Sequence, residues 1–118
     1  IQRLLPLLKK SDNPQIINIG SMGGFQGSSK YPGLSIYSAS KAALGVLSEC
    51  LAEEYKEYGI IVNCLALGAT QTEMLEKAFP GYNAPVSAQE MAGFICNFAL
   101  YSGKFINGKI IPVSLNNP

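Results

Sequence analysis

Histidine is absent from the 118 residues. No Ser-His-Asp or Cys-His nucleophile system can be assembled from this chain, and most protein metal sites lose their commonest ligand. Acid–base work must fall to Tyr, Lys, Asp, Glu or Cys, and no metal site is expected. Charge is scarce too: charged residues make up 14%, and nine Lys+Arg against eight Asp+Glu leave a net charge of +1. That is neither the basic stripe nucleic acid requires nor the polybasic patch an anionic membrane attracts, so neither partner is expected. No apolar run approaches the roughly 20 residues of a membrane-spanning helix. The opening "IQRLLPLLKK" is apolar then basic, the reverse of a secretory signal, and reads as the tail of an amphipathic helix that begins outside the chain. The three cysteines, Cys50, Cys64 and Cys96, form no C-x-x-C pair. They read as buried, reduced thiols of a cytoplasmic protein.

What is present is an alternation of strands and helices. "PQIINIGS" (residues 14–21) and "GIIVNCLALG" (59–68) are short runs apolar on both faces, as buried parallel strands are. "GKIIPVSL" (108–115) is a weaker third, and its Pro112, lacking an N–H, suits an edge or a strand end. A helical pattern spans about 37–58 and stops at Gly59. Leu44, Leu47, Leu51, Tyr55 and Tyr58 form one stripe of it, and Ala39, Ala43, Val46 and Cys50 a second. Two stripes predict that the first half of this helix is buried on most sides, one stripe on the sheet and the small-residue stripe against another helix, from this chain or a partner subunit. Ser87-Ala88-Gln89-Glu90 is a capping box opening a helix to Tyr101, with Gly103 as its stop.

The order helix tail, strand, helix, strand, helix, strand predicts an α/β domain with a doubly wound parallel sheet covered on both faces. Three strands form one mononucleotide-type half of such a sheet, so residues 1–118 are expected to be the C-terminal part of a larger domain. The alternative is a small, self-sufficient three-stranded domain.

In open α/β sheets ligands bind outside the carboxyl ends of the strands. Two segments occupy that edge: "GSMGGFQGSSKYPG" after the first strand and "LGATQTEMLEKAFPGYNAPV" after the second. Ser21 ends the first strand. Sixteen residues on, "SIYSASKAALG" places Tyr37 and Lys41 four residues apart, on one face of a helix. A phenol beside an ammonium loses its proton more readily, so Lys41 is expected to lower the Tyr37 pKa. With Ser21 holding a carbonyl, these residue types suit proton transfer to or from a carbonyl or alcohol oxygen. Lys41 is the only charge in that half of the helix, and a lysine on a buried side needs a partner. The Y-x-x-x-K spacing alone is a weak signal; its place after a strand that ends in Ser gives it weight.

These segments resemble the short-chain dehydrogenase/reductase family: "INIGSMGG" its serine-bearing strand end, "YSASKAAL" its Tyr/Lys helix, "VNCLALGATQTEM" the segment beside the nicotinamide, and "NGKIIPV" its last strand. The resemblance covers nearly the whole chain and implies a Rossmann-like α/β/α fold. It also implies an NAD- or NADP-dependent oxidoreductase acting on a small-molecule carbonyl or secondary alcohol. Ser21 would then orient and polarise the carbonyl, and Tyr37 would be the general acid in reduction and the base in oxidation. Lys41 would bind the nicotinamide ribose and tune the phenol. Gly68, Thr70 and Thr72 would line the nicotinamide and pyrophosphate region, and residues 72–86 would form a substrate lid. Met74, Leu75, Phe79 and Tyr82 are its candidate apolar lining. A homodimer or homotetramer is the expected assembly.

Leu67 stands where the family usually has Pro, and the ending "SLNNP" lacks the Asp-Gly-Gly often seen there. The Gly-rich dinucleotide turn, the residue choosing between NAD and NADP, and the family's catalytic Asn are expected upstream of Ile1. Two other readings stay open: a catalytically idle relative acting as a nucleotide sensor or scaffold, and an unrelated doubly wound domain of flavodoxin-like or methyltransferase-like type.

Overall fold

The computed structural model describes residues 1–115; the last three residues of the atypical "SLNNP" ending lie outside them. A 3-10 turn (Gln2–Leu4) runs into a one-turn helix α1 (Leu5–Leu8). Then follow β1 (Gln15–Ser21), a 3-10 turn (Met22–Gly24), α2 (Ser35–Glu54), β2 (Ile61–Leu67), β3 (Thr70–Gln71), α3 (Glu73–Ala78), β4 (Val86–Ser87), α4 (Ala88–Tyr101) and β5 (Ile110–Val113). The main sheet has the order β1-β2-β5, all parallel. It confirms the expected α/β architecture of a doubly wound, Rossmann-like sheet.

Central β2 is the driest element, with Val62, Asn63, Cys64, Leu65 and Ala66 all buried. Ile16 and Gln15 point to opposite faces, because strand side chains alternate. Ile16 packs on the core of Leu51, Ala52, Ile60 and Val62, which α2 covers together with Leu5 and Leu8. Gln15 Nε2 donates to the carbonyl of Ala99 in α4 at 2.8 Å. The two long helices therefore lie on opposite faces, giving three layers. Burying a side chain such as Leu51 contributes about 1.5–3 kcal/mol. Asn63, fully buried, does other work: its Nδ2 donates to Ile106 O at 2.9 Å and its Oδ1 accepts from Lys109 N at 3.1 Å. It fixes the turn that delivers β5 beside β2.

Several expectations need correction. α2 is buried on one face only. Leu44, Gly45, Ser48, Leu51, Ala52 and Tyr55 turn inward, whereas Ala39, Ala43, Val46 and Cys50 are exposed, and so are Leu47 and Tyr58. A single sheet can cover a single stripe, and close approach to it selects small residues, not the most hydrophobic ones. Cys50 and Cys96 are exposed for the same reason; only Cys64 is a buried thiol. The helical pattern over 37–58 is α2, starting at Ser35, followed by a 3-10 turn (Lys56–Tyr58) that ends at Gly59 with a left-handed φ of 68°. α4 ends at Tyr101, and Gly103 lies within the 3-10 turn that follows, backed against Gln15. The segment 72–86, the candidate lid, contains α3 and reaches β4, which pairs in parallel with β3 just before it. Pro112 sits in β5, which pairs with β2 alone among the described strands, as an edge position allows.

Candidate active site

β1 and β2 run in register, with Ser21 opposite Leu67, so Ser21 and Gly68 arrive together at the carboxyl edge of the sheet. The chain leaves β1 through a tight turn. Ser21 Oγ accepts from Gly23 N at 3.1 Å, which caps the 3-10 turn and holds the hydroxyl at the edge. The turn then presses on α2. A Cβ on Gly24 would stand 2.5 Å from Ala42 N and 2.7 Å from Lys41 Cβ, so only glycine permits that approach. The following loop is fastened by Lys30, whose Nζ donates to Phe25 O at 2.9 Å and to Ser28 Oγ at 2.6 Å.

This close approach assembles the site. A Cβ on Gly23 would lie 3.4 Å from Ser21 Oγ, 3.5 Å from Ser38 Oγ and 3.5 Å from Tyr37 Cε1. Ser21 and Tyr37 therefore flank one small space that Gly23 leaves open. Tyr37 lies in the first turn of α2 and is 37% exposed, enough for its phenol to meet a ligand. One turn on, Lys41 Nζ sits 5.8 Å from the centre of the Tyr37 ring and donates to Ile19 O at 3.0 Å. That carbonyl is the partner a half-buried lysine requires. It uses one of three N–H groups, leaving two for a hydroxyl-bearing ligand.

The other predicted residues are less tightly gathered. Gly68 follows β2, its N–H donating to Val113 O at 2.8 Å, and it lines a cleft of about 30 Å³ with Tyr82, Met91 and Ser114. Leu67, the departure from the family pattern, continues the strand opposite Ser21 and Val113. Thr70 Oγ1 donates to Gly68 O at 3.3 Å, stiffening the same corner. Thr72 caps α3, its hydroxyl accepting from Leu75 N at 3.2 Å. Of the candidate lid lining, Met74 is 71% exposed, whereas Phe79 meets Tyr31 edge-on with ring centres 5.4 Å apart. This ring contact ties the loop after β1 to the 72–86 segment.

Sequence reasoning missed Gly23, Ser38 and the Ile19 carbonyl. Ser38 follows Tyr37 directly, yet i and i+1 do not share a helix face; only the return of the turn over α2 brings it in.

The site offers two ammonium N–H groups of Lys41 and a phenol at the carboxyl edge of the sheet, donors suited to a hydroxyl-bearing ligand. Residues 1–83 match the model of the short chain dehydrogenase family. A rhamnolipid-biosynthesis 3-oxoacyl-[acyl-carrier-protein] reductase from Pseudomonas aeruginosa is 34% identical over 131 aligned residues, covering 96% of this chain and 50% of that protein. Among solved structures, the Pseudomonas aeruginosa RhlG/NADP active-site complex superposes with a TM-score of 0.76 at 32% identity, covering 97% of this chain and 50% of that one. A short chain dehydrogenase from Escherichia coli CFT073 complexed with NADPH gives a TM-score of 0.79 at 29% identity, covering 94% of this chain and 45% of that one. The chain thus spans about half the length of the relatives it matches. Through the family match and these shared folds, it belongs to the short-chain dehydrogenase family.

Proposed function

We propose that the protein carrying this chain is an NAD(P)-dependent oxidoreductase that interconverts a small-molecule carbonyl and a secondary alcohol. The observation that carries the reading is the common space between Ser21 Oγ and the Tyr37 ring, with Lys41 beside that ring.

A bound nicotinamide supplies or accepts the hydride at the carbonyl carbon. In reduction, Ser21 donates a hydrogen bond to the carbonyl oxygen and holds it toward Tyr37. The Tyr37 phenol passes its proton to that oxygen as the charge develops, so the alcohol is formed and a phenolate remains. The Lys41 ammonium faces that phenolate and offers its spare N–H groups to the ribose hydroxyls. Oxidation runs the same transfers backwards, with Tyr37 as base. Gly68, Thr70 and Thr72 lie on the segment that would follow the nicotinamide and pyrophosphate. Both solved neighbours described above carry NADP or NADPH, so the phosphorylated cofactor is tested first.

The exposed Ala39, Ala43, Val46 and Leu47 on α2 support a homodimer or homotetramer. No helix of the described residues is long and apolar enough to cross a membrane, and a cytoplasmic setting agrees with three free cysteines.

A second reading, an idle relative that binds a nucleotide as a sensor or scaffold, draws on Leu67. Its regular strand pairing replaces the family's usual Pro at the nicotinamide corner. Titrating the full-length protein with NADPH and NADH, then assaying a panel of aldehydes, ketones and 3-oxoacyl thioesters, separates the two. Binding with turnover of at least one carbonyl compound is the expected result. Binding with no turnover across the panel would establish the idle relative, and no binding would sink both readings.

A further inference from the structure

Asn18 of β1 and Ser48 of α2 form a half-buried polar contact between the sheet and the helix that carries Tyr37 and Lys41. Asn18 Nδ2 donates to Ser48 Oγ at 2.9 Å, and Ser48 Oγ donates in turn to Leu44 O at 2.8 Å. Ser48 is fully buried. Asn18 pairs in register with Cys64, and Cys64 with Ile110, so the three residues form one row across the sheet. α2 packs over that row, against all three strands. Ser48 meets its first strand, and a Cβ on Gly45 would come within 2.7 Å of Ile110 Cδ1 in its third. Lys41 Nζ reaches β1 again at Ile19 O, the residue after Asn18. α2 is thus held on β1 at two polar points seven residues apart.

The spacing matters. Tyr37 and Ser48 are eleven residues apart, just over three full turns at 3.6 residues per turn, so they share a helix face. A rotation of α2 about its axis that moved Ser48 off Asn18 would carry Tyr37 through the same angle, away from Ser21. Apolar contacts resist such a rotation weakly, because they are non-directional. A hydrogen bond does not tolerate it: the half-buried Asn18 amide would lose its acceptor and the fully buried Ser48 hydroxyl its donor.

We infer that Asn18 and Ser48 are positioning residues, a polar key that sets the rotational phase of α2 and so aims the Tyr37 phenol at the carbonyl held by Ser21. This rests on the oxidoreductase reading above. Neither residue touches substrate or cofactor; they act through Tyr37.

The test uses the full-length protein with NADPH and the carbonyl compound of the panel turned over fastest. Asn18→Ala and Ser48→Ala are each expected to lower kcat roughly 10–100-fold, the effect of misplacing a reacting group by about 1 Å, with the NADPH Kd within twofold of wild type. The double variant should be no slower than the worse single one, because both break one contact. Leu51→Ala, in the same helix and core, supplies the control: a comparable fall in Tm with kcat retained. Ser48→Thr keeps the hydroxyl and should keep kcat within threefold, and it carries the test if an alanine variant fails to fold, since a tenfold loss in a folded Ser48→Thr protein would overturn the inference. Loss of Tm without loss of kcat in the alanine variants would overturn it also, as would additive effects in the double variant. Tyr37→Phe run in parallel keeps the two questions separate: if that variant turns over normally, the oxidoreductase reading fails first.

Discussion

Two adjacent glycines do opposite jobs at the residue scale. Gly24 is small because the backbone of α2 lies against it; Gly23 is small beside an open space. Gly24→Ala places a methyl group on Lys41 and Ala42, at distances no relaxation of one side chain can relieve. It should destabilise the protein by about 1–3 kcal/mol, read as a lower midpoint in urea unfolding. Gly23→Ala meets only ordinary contact distances and has no positive φ to oppose it. Its midpoint should stay where it is, while the methyl group occupies the space between Ser21 and Tyr37 and lowers kcat/KM roughly tenfold or more. Equal effects of the two substitutions on both measurements would refute this division of labour. Of these residues, Tyr37 and Lys41 were legible in the sequence because helical periodicity alone puts i and i+4 together, and Ser21 because it ends a run of strand character. Gly23 and Ser38 were not, since their roles arise where a loop folds back on a helix, and no local pattern encodes that return.

Among the elements, α4 shows the capping box expected from Ser87 and Glu90. Ser87 Oγ accepts from Glu90 N at 3.2 Å, and Glu90 Oε2 accepts from Ser87 N at 2.9 Å. Hydrogen bonds from Ser87 hold the Glu90 carboxyl below its ordinary 4.5. A carboxyl depressed in the folded state stabilises above its unfolded pKa, and that contribution is lost as pH falls through the folded value. Acidification below about pH 4.5 should therefore loosen the start of α4, and Glu90→Gln should flatten that part of the curve of Tm against pH. Ser87→Ala should lower stability by about 0.5–2 kcal/mol at neutral pH. An acid limb unchanged in Glu90→Gln would show that the box does not contribute. The box was readable because its four residues are contiguous. α3 was not: six residues are too few for a helical period to register, and the β3–β4 pair is two residues long. Burial of α2 misled for a different reason. The sheet took a face that keeps Leu44, Leu51 and Tyr55 of the first stripe but adds Gly45, Ser48 and Ala52, which allow close approach, and it left Leu47, Tyr58 and the small-residue stripe outside.

For the whole molecule, the outward face of α2 is an apolar surface that the described residues leave uncovered. Val46 is 56% exposed and Leu47 48%, with Ala39 and Ala43 beside them. If this face joins subunits, sedimentation velocity should show a dimer or tetramer for the full-length protein and a smaller species for Val46→Lys/Leu47→Glu. A wild-type monomer at micromolar concentration would refute the assembly. The architecture itself was legible, since three apolar runs separated by two helical patterns admit few topologies. All three scales meet in the proposed proton-transfer site, which the edge of the sheet, the turn after β1 and the first turn of α2 would form together. Its most direct test is Tyr37→Phe in the full-length protein, with kcat for carbonyl reduction and the NADPH Kd measured on the same sample. The account predicts a kcat reduced about 10²–10⁴-fold, the contribution of a positioned general acid, with Kd changed less than threefold. A variant that keeps wild-type kcat would contradict it.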